Sequence, residues 1–378
     1  MMDNNKLEIL SAVLTSFVFT YVVIPSIINI ARIKQLYDEP GERKSHVDVI
    51  PNLGGIAIFG GFVISFCLFG NFTNAKEVQY ILGALCLTFM LGAKDDIIEL
   101  THYKKFLGQI MSAFIIVYFG DIRLTSLYGV FGISDIPYWV SFLFSMTTIV
   151  FIINAFNLID GVNWLAGSVA LVIAVSFGSW FFYHNLYEYA ILAASMAGAI
   201  IAFLRYNYTP AKIFMGDSGS LSVGLLSSVL AIVFIEKNEF FISQGLDYKF
   251  TISASPAFAI AVLIIPVFDT LRVFTLRILS GKSPFLADRN HIHHKLLDLG
   301  LSHIQTSMVL ISTNIAFIVL AFYLQEFKNL WLIVFLFGLA YVLTFILFSI
   351  KPESKASKAE NKKSKNYEAL KTSSVEAI

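Results

Sequence analysis

Acids, amides and histidines recur at the ends of long apolar runs in this chain, in five short clusters. They read "PGERKSHVDVIPNLGG" from Pro40, "KDDIIE" from Lys94, "NAFNLIDG" from Asn154, "FMGDSGS" from Phe214 and "SPFLADRNHIHHKL" from Ser283. Carboxylates and amides are the hard oxygen donors that a divalent cation such as Mg²⁺ selects. Lysine, arginine and imidazole are groups that neutralise phosphate. Asp95 and Asp96 are adjacent, with Lys94 before them and Glu99 after. Two carboxylates about 4 Å apart repel by about 4 kcal/mol at an effective dielectric near 20, which a cation or a shared proton relieves. Asn154, Asn157 and Asp160 crowd one segment, and Asp217 stands between Gly216 and Ser218 in a glycine-flanked turn. Such a turn can cap a helix or hold a metal. The letters "GDSG" also surround the nucleophile of trypsin-like proteases, but nothing else here supports that soluble β fold.

His291, His293 and His294 form a tight histidine group after Arg289. On a continuous helix His291 and His294 would share a face at i, i+3, with His293 pointing elsewhere. Zinc is a weak reading because no HExxH helix accompanies them. Anion binding by the imidazoles with Arg289 fits better beside a carboxylate–Mg²⁺ centre. Arg43, Lys44 and His46 put positive charge just before "PNLGG".

The elements that must carry these groups are membrane helices. The chain has 378 residues, 57% of them hydrophobic and 14% charged; a soluble domain carries roughly 25% charged residues. About eleven apolar runs approach the roughly 20 residues needed to span a bilayer. They cover Leu7–Ala31, Leu53–Gly70, Val78–Ala93, Phe106–Gly120, Tyr138–Phe156, Trp164–His184, Leu186–Leu204, Leu221–Ile235, Pro256–Leu279, His303–Leu324 and Leu330–Ile350. The expected fold is therefore an all-α polytopic membrane protein. The first run is too long for a cleaved signal sequence and is expected to remain as a helix.

Arg and Lys concentrate in alternate connections, at Arg32 and Lys34, at Lys94 and Lys105, at Arg205 and Lys212, and at Arg277 and Lys295. The positive-inside rule then places the N-terminus outside, the C-terminus in the cytoplasm and all five clusters on the cytoplasmic face. Residues 1–350 read as one membrane domain, and 351–378, rich in Lys, Ser and Glu, as a disordered polar tail. Residues 121–137 read as an external loop or a short hairpin. A net charge of +1 gives no basic surface for nucleic acid, and Cys67 and Cys86 both fall inside apolar runs.

Taken together and in order, the clusters resemble the polyprenyl-phosphate N-acetylhexosamine-1-phosphate transferases, over about Asp38 to Leu297. "RKSH", "PNLGG" and the histidine segment are closer to the N-acetylglucosamine branch than to the muramoyl-pentapeptide branch. The resemblance implies transfer of a sugar-1-phosphate from a UDP-N-acetylhexosamine to undecaprenyl phosphate, with release of UMP, at a bacterial cytoplasmic membrane. It implies Mg²⁺, with Mn²⁺ as a substitute, the lipid bilayer as a partner, and a homodimer as a candidate assembly.

It also assigns roles. Asp217 would be the principal metal ligand, with Asp160 beside it; Asp95 and Asp96 would serve catalysis near the lipid phosphate; His291, His293 and His294 would lie near the diphosphate. Asn157, Asp160 and Asn163 would belong to the nucleotide site, which Asn207 and Phe214 would also contact, with Lys44, His46, Lys105 and Arg289 supplying further substrate contacts. Where relatives carry a second Asp and then Gly after Asp160, this chain has Asn163 and Trp164. That departure is expected to bear on the choice of sugar. The alternative class is a secondary transporter, which would place its acids at mid-span in an inverted repeat.

Overall fold

The computed structural model describes residues 4–36, 50–70, 76–245, 251–283 and 289–351. Lys44 and His46, together with the polar tail beyond Lys351, lie outside the described residues. Among the described residues the architecture is all-helical, and the one recorded extended pairing is an isolated antiparallel bridge between Ser126 and Asp135. That bridge sits in the expected loop.

Each apolar run becomes helical. The order is α1 (Asn4–Lys34), α2 (Gly54–Phe69), α3 (Glu77–Ile97), α4 (His102–Phe114) continued by a π-helical turn over Ile115–Phe119, and α5 (Tyr138–Ile159). Then come α6 (Leu165–Tyr183), α7 (Tyr187–Asn207), α8 (Gly216–Ser243), α9 (Ser255–Val262), α10 (Ile264–Leu279), the short α11 (Ile292–Asp298), α12 (His303–Tyr323) and α13 (Asn329–Ser349). Seven of these are long and apolar enough to cross a membrane, and α9 with α10 make an eighth if the bent pair is one span. The difference from eleven lies in α2 and α4, which are 16 and 13 residues long, and in α3, whose last turn is charged.

The run Pro256–Leu279 is not one straight helix. It breaks at Leu263, and α9 and α10 meet at 83°. Pro266 falls in the first turn of α10, where its missing N–H costs nothing. The carbonyls released at the break find a partner across the bundle: Asn314 of α12 donates from Nδ2 to Ala261 O at 3.0 Å and to Val262 O at 3.2 Å. Within a bilayer such groups must be satisfied by protein.

The centre of the bundle is α8, buried along its length and packed by α2, α3, α5, α6 and α9. α1 and α13 keep most of their surface outward, with Val22, Ile33, Trp331 and Phe345 exposed as a lipid-facing helix requires. α3 reaches α8 through Gly92. A Cβ there would lie 2.5 Å from Asp217 C and O, too close for any side chain. Gly83, nine residues earlier on the same helix, faces open space.

This contact sets a test of the packing. Gly92→Ala is expected to destabilise the purified protein by about 1–3 kcal/mol, the usual cost of overpacking, and to lower activity by displacing α8. Gly83→Ala is expected to leave both unchanged. Thermal unfolding in detergent separates the two variants, and equal melting temperatures would contradict the close approach of α3 to α8.

Candidate active site

The start of α8 gathers three other elements. Gly216 takes φ +70°, a left-handed conformation that glycine reaches without strain, and turns the chain into the helix. The preceding residues pair with the segment before α2: Phe214 N donates to Pro51 O at 2.9 Å, Gly54 N to Phe214 O at 2.9 Å, and Gly55 N to Met215 O at 2.8 Å. "PNLGG" and "FMGDSGS" are therefore two halves of one local structure.

Asp96, in the last turn of α3, supplies the side-chain cap that α8's own N-cap residue, Met215, does not. Its Oδ1 accepts from Asp217 N at 2.6 Å and its Oδ2 from Ser218 N at 2.9 Å. A carboxylate at a helix N-terminus meets both unsatisfied donors and the positive end of the helix dipole. The adjacent Asp95 turns elsewhere, accepting from Leu100 N at 2.6 Å and pairing with Lys105 Nζ of α4 at 3.1 Å. The two neighbouring acids thus have separate partners rather than a shared proton. With both oxygens accepting from the backbone, Asp96 anchors the start of α8 while bordering the cavity.

Asp217 is where these elements converge. Its Oδ2 accepts from the same Lys105 ammonium and its Oδ1 from Asn157 Nδ2 at the end of α5. Asn157 also donates to Ser220 Oγ at 3.1 Å. Asn154, one turn earlier, is used differently: its amide pairs with Gln109 of α4 at 2.6 Å and joins α5 to α4. Asp160 follows the last residue of α5 and borders the same cavity. Burial, with Asp217 and Asp96 adding repulsion, holds its carboxyl well above the usual carboxylate range.

These groups line a cavity of about 390 Å³ whose walls include Asn52, Asp95, Asp96, Asp160, Asn163, Asn207, Phe214, Asp217 and His303. The donor set fits a hard divalent cation. Several carboxylates with oxygen-bearing amides face one space, and Lys105 is the cation recorded between two of them. Asn157 also borders a second, more apolar hollow of about 460 Å³ formed with Phe106, Leu158 and Phe274.

The histidines approach from α11. His291 is not helical: it is the N-cap residue of α11 at φ −69°, ψ 149°, so it shares no helical face with His294, although the two rings still meet edge-on at 6.4 Å. Its ring stacks instead on that of His293, 5.4 Å away and 15° from parallel. His293 is buried and points at the cavity wall, its Nε2 standing 3.1 Å from the place a Cβ would take on Gly161. Burial, with His294 and His291 adding to it, pushes the His293 imidazole down to about 3, so the ring is neutral near neutral pH. His294 is half-buried and also shifted down, chiefly by burial. Arg289 stays outside this group, exposed and paired with Asp298 at 3.1 Å.

Asn207 lies in the wall with both ends of its amide engaged: Trp164 N donates to its Oδ1 at 2.6 Å, and its Nδ2 donates to Ile213 O at 2.8 Å. It holds the two site loops together. Trp164 adopts φ +75°, where glycine is at ease. Its indole donates to Leu204 O at 3.2 Å and meets the Tyr208 ring edge-on, so it packs against the end of α7. Asn163 does border the cavity, donating from Nδ2 to Thr209 Oγ1 at 3.3 Å.

Two groups at the site escaped the sequence reading. His303 lines the cavity, 3.4 Å from the backbone N of Asn163, and as a single histidine at the start of a helix it carried no signal. Asp269 lies buried in α10 against His291 at 2.8 Å. Its signal was present: an acid inside an apolar run costs about 2.5–3.5 kcal/mol at a bilayer centre, which demands a use.

Known proteins resemble this chain. A family signature described as glycosyl transferase family 4 matches residues 78–235, from α3 into α8. A probable undecaprenyl-phosphate N-acetylglucosaminyl 1-phosphate transferase of Bacillus subtilis is 31% identical over 89% of this chain and 90% of its own length. A decaprenyl-phosphate N-acetylglucosaminephosphotransferase of Mycolicibacterium smegmatis is 32% identical over 70% and 69%. An undecaprenyl-phosphate alpha-N-acetylglucosaminyl 1-phosphate transferase of Escherichia coli K12 is 27% identical over 90% of each chain. With likeness of this extent running through the helices that build the cavity, the chain belongs to glycosyl transferase family 4.

Proposed function

We propose that this protein is a membrane enzyme that transfers an N-acetylhexosamine-1-phosphate from its UDP-sugar to a polyprenyl phosphate, as an initiating step of envelope polysaccharide synthesis. The observation that carries the reading is the meeting of Asp95, Asp217, Lys105 and Asn157 at the N-terminus of α8, beside a cavity of about 390 Å³. An oxygen of the lipid phosphate attacks the β-phosphorus of the UDP-sugar. The bond from that phosphorus to the oxygen bridging it to UMP breaks, and UMP departs with the bridging oxygen. Phosphoryl transfer of this kind asks a protein for positioning and charge neutralisation more than for covalent chemistry.

Asp217 and Asp160 are the candidate ligands of a divalent ion, with Asn157 as a neutral neighbour. Bound there, Mg²⁺ would neutralise diphosphate charge and ease the departure of UMP. Lys105 holds Asp95 and Asp217 in register and offers a cation to the incoming phosphates. Phe214 borders the cavity with a face on which a uracil ring can stack. Neutral His293 is buried behind Gly161, where its ring backs the backbone of the cavity wall. The apolar hollow beside Asn157 adjoins a further one of about 440 Å³ lined by Phe106, Ile110, Met146 and Phe151, a path along which an isoprenoid tail can lie.

The positive-inside distribution favours a cytoplasmic position for the centre in a bacterial inner membrane, with the N-terminus outside and the C-terminus inside. Counting α2, α3, α4 and the bent pair with the long helices gives eleven crossings. The acids that border the cavity, Asp95, Asp96, Asp160 and Asp217, cluster at helix ends, as a substrate entering from the aqueous side requires and as a transporter's mid-span coupling sites would not.

Two tests follow. Purified protein given undecaprenyl phosphate, Mg²⁺ and a panel of UDP-sugars should release UMP only when lipid and metal are both present. Asp217→Asn and Lys105→Met should each lower the rate by about 100-fold or more, the scale seen when a charge-stabilising group is removed, while the melting temperature holds. No lipid-dependent UMP from any sugar would remove the transferase reading.

On the same panel, Asn163→Asp should alter the ranking of sugars. Trp164→Gly alone should leave the ranking unchanged, because the indole packs outside the cavity. A reversed pattern would show that the residue after Asn163 governs the sugar.

A further inference from the structure

We propose that Asp269 is a positioning residue of this enzyme, fixing the ring of His291 and, through it, the place of His293 against the cavity wall; this rests on the transferase reading above. Asp269 lies three residues after Pro266 on α10 and is 2% exposed. Its Oδ2 stands 2.8 Å from His291 Nδ1, and its Oδ1 accepts the N–H of Ile292 at 3.0 Å. One carboxylate therefore grips both the ring and the backbone at the entry to α11. Arg272, one turn along α10, places Nη2 3.7 Å from Asp269 Oδ1 and donates to Asn290 O, tying the approach to α11 to the same helix.

The proton on this contact is set by chemistry. An ionised carboxylate can only accept, so His291 Nδ1 must carry the hydrogen. The ligand atoms of Asp269, His291 and His293 lie within 4.8 Å of one another. Yet two atoms each about 2.1 Å from one tetrahedral ion stand well over 3 Å apart, so the 2.8 Å contact is a hydrogen bond and not half of a metal site. From Asp269 the contacts run onward through the stacked rings of His291 and His293 to Gly161, which borders the cavity.

A neutral amide would serve if the contact only joined α10 to α11, and it would avoid burying a charge. An amide has an N–H₂ as well as an oxygen, however, and can present the donor to Nδ1 and so reverse the tautomer. What the carboxylate adds is a proton fixed on one ring nitrogen, the usual means by which an outer carboxylate orients a working imidazole.

The test compares wild type, Asp269→Asn, His291→Ala and the double variant in the UMP-release assay. Asp269→Asn should lower kcat by about 10- to 100-fold, the scale of losses at orienting residues, with the KM for the nucleotide sugar nearly unchanged. If Asp269 acts through His291, the double variant is no slower than His291→Ala alone. Losses that multiply, or a wild-type rate in Asp269→Asn, would overturn the proposal. Should Asp269→Asn fail to fold, the wild-type chain still decides: ¹⁵N-histidine NMR, with the His291 signals assigned by their loss in His291→Ala, should show the proton on Nδ1, and a ring protonated at Nε2 alone would refute the assignment. An inactive wild type that still shows the Nδ1 proton would fault the transferase reading and leave the hydrogen bond standing.

Discussion

The N-terminus of α8 begins inside a bundle of helices, and its unsatisfied backbone donors must find acceptors there. Asp96 provides them from α3, accepting from the N–H groups of Asp217 and Ser218. Much else follows from this one contact. It brings the charged end of α3 to the start of the most buried helix, and the absence of a side chain at Gly92 lets the two come close enough. It leaves the Asp217 carboxylate to face α4 and α5, where Lys105 and Asn157 meet it. A half-buried carboxylate that accepts two backbone hydrogen bonds is anchored, so the reactive geometry beside it is built on rigid elements.

Charge balance then explains the composition of the site. Low dielectric makes each unpaired carboxylate costly, yet Asp95, Asp96, Asp160 and Asp217 border one cavity. Asp96 is met by the helix end, and Lys105 lies between Asp95 and Asp217. Asp160 is left with burial and two like-charged neighbours, the condition that a divalent cation and its phosphates would relieve. The bent pair α9–α10 serves the same end from the other side. Its break, stabilised by Asn314, redirects α10 and carries Asp269 to the histidines.

Much of this was legible in the sequence because the bilayer simplifies the code. Apolar runs of span length became helices, and polar clusters between them came together at one end: Phe214 with Gly54, Asp96 with Asp217, Asn157 with Asp217, and His293 with Gly161. What the sequence concealed was the use of each group. Adjacent Asp95 and Asp96 looked like a repelling pair but diverge to different partners, because a helix turns neighbouring side chains through about 100°. The histidines looked like a helical face, yet His291 caps the helix instead of joining it. Trp164 belongs to the departure expected to bear on the choice of sugar, and its left-handed backbone turns the indole toward α7. Asp269 was passed over because its partner, His291, comes from the segment that follows α10 and folds back onto it.

The central claim is that the groups at the start of α8 move a sugar together with its phosphate onto a lipid. Double-labelled UDP-N-acetylglucosamine, carrying ³²P at the β position and ³H in the sugar, measures this directly when incubated with the enzyme, Mg²⁺ and undecaprenyl phosphate. The account predicts that both labels enter the organic phase in equimolar amounts, and that neither does so with Asp217→Asn. Tritium entering the lipid without ³²P, or equal transfer by the Asp217 variant, would contradict it.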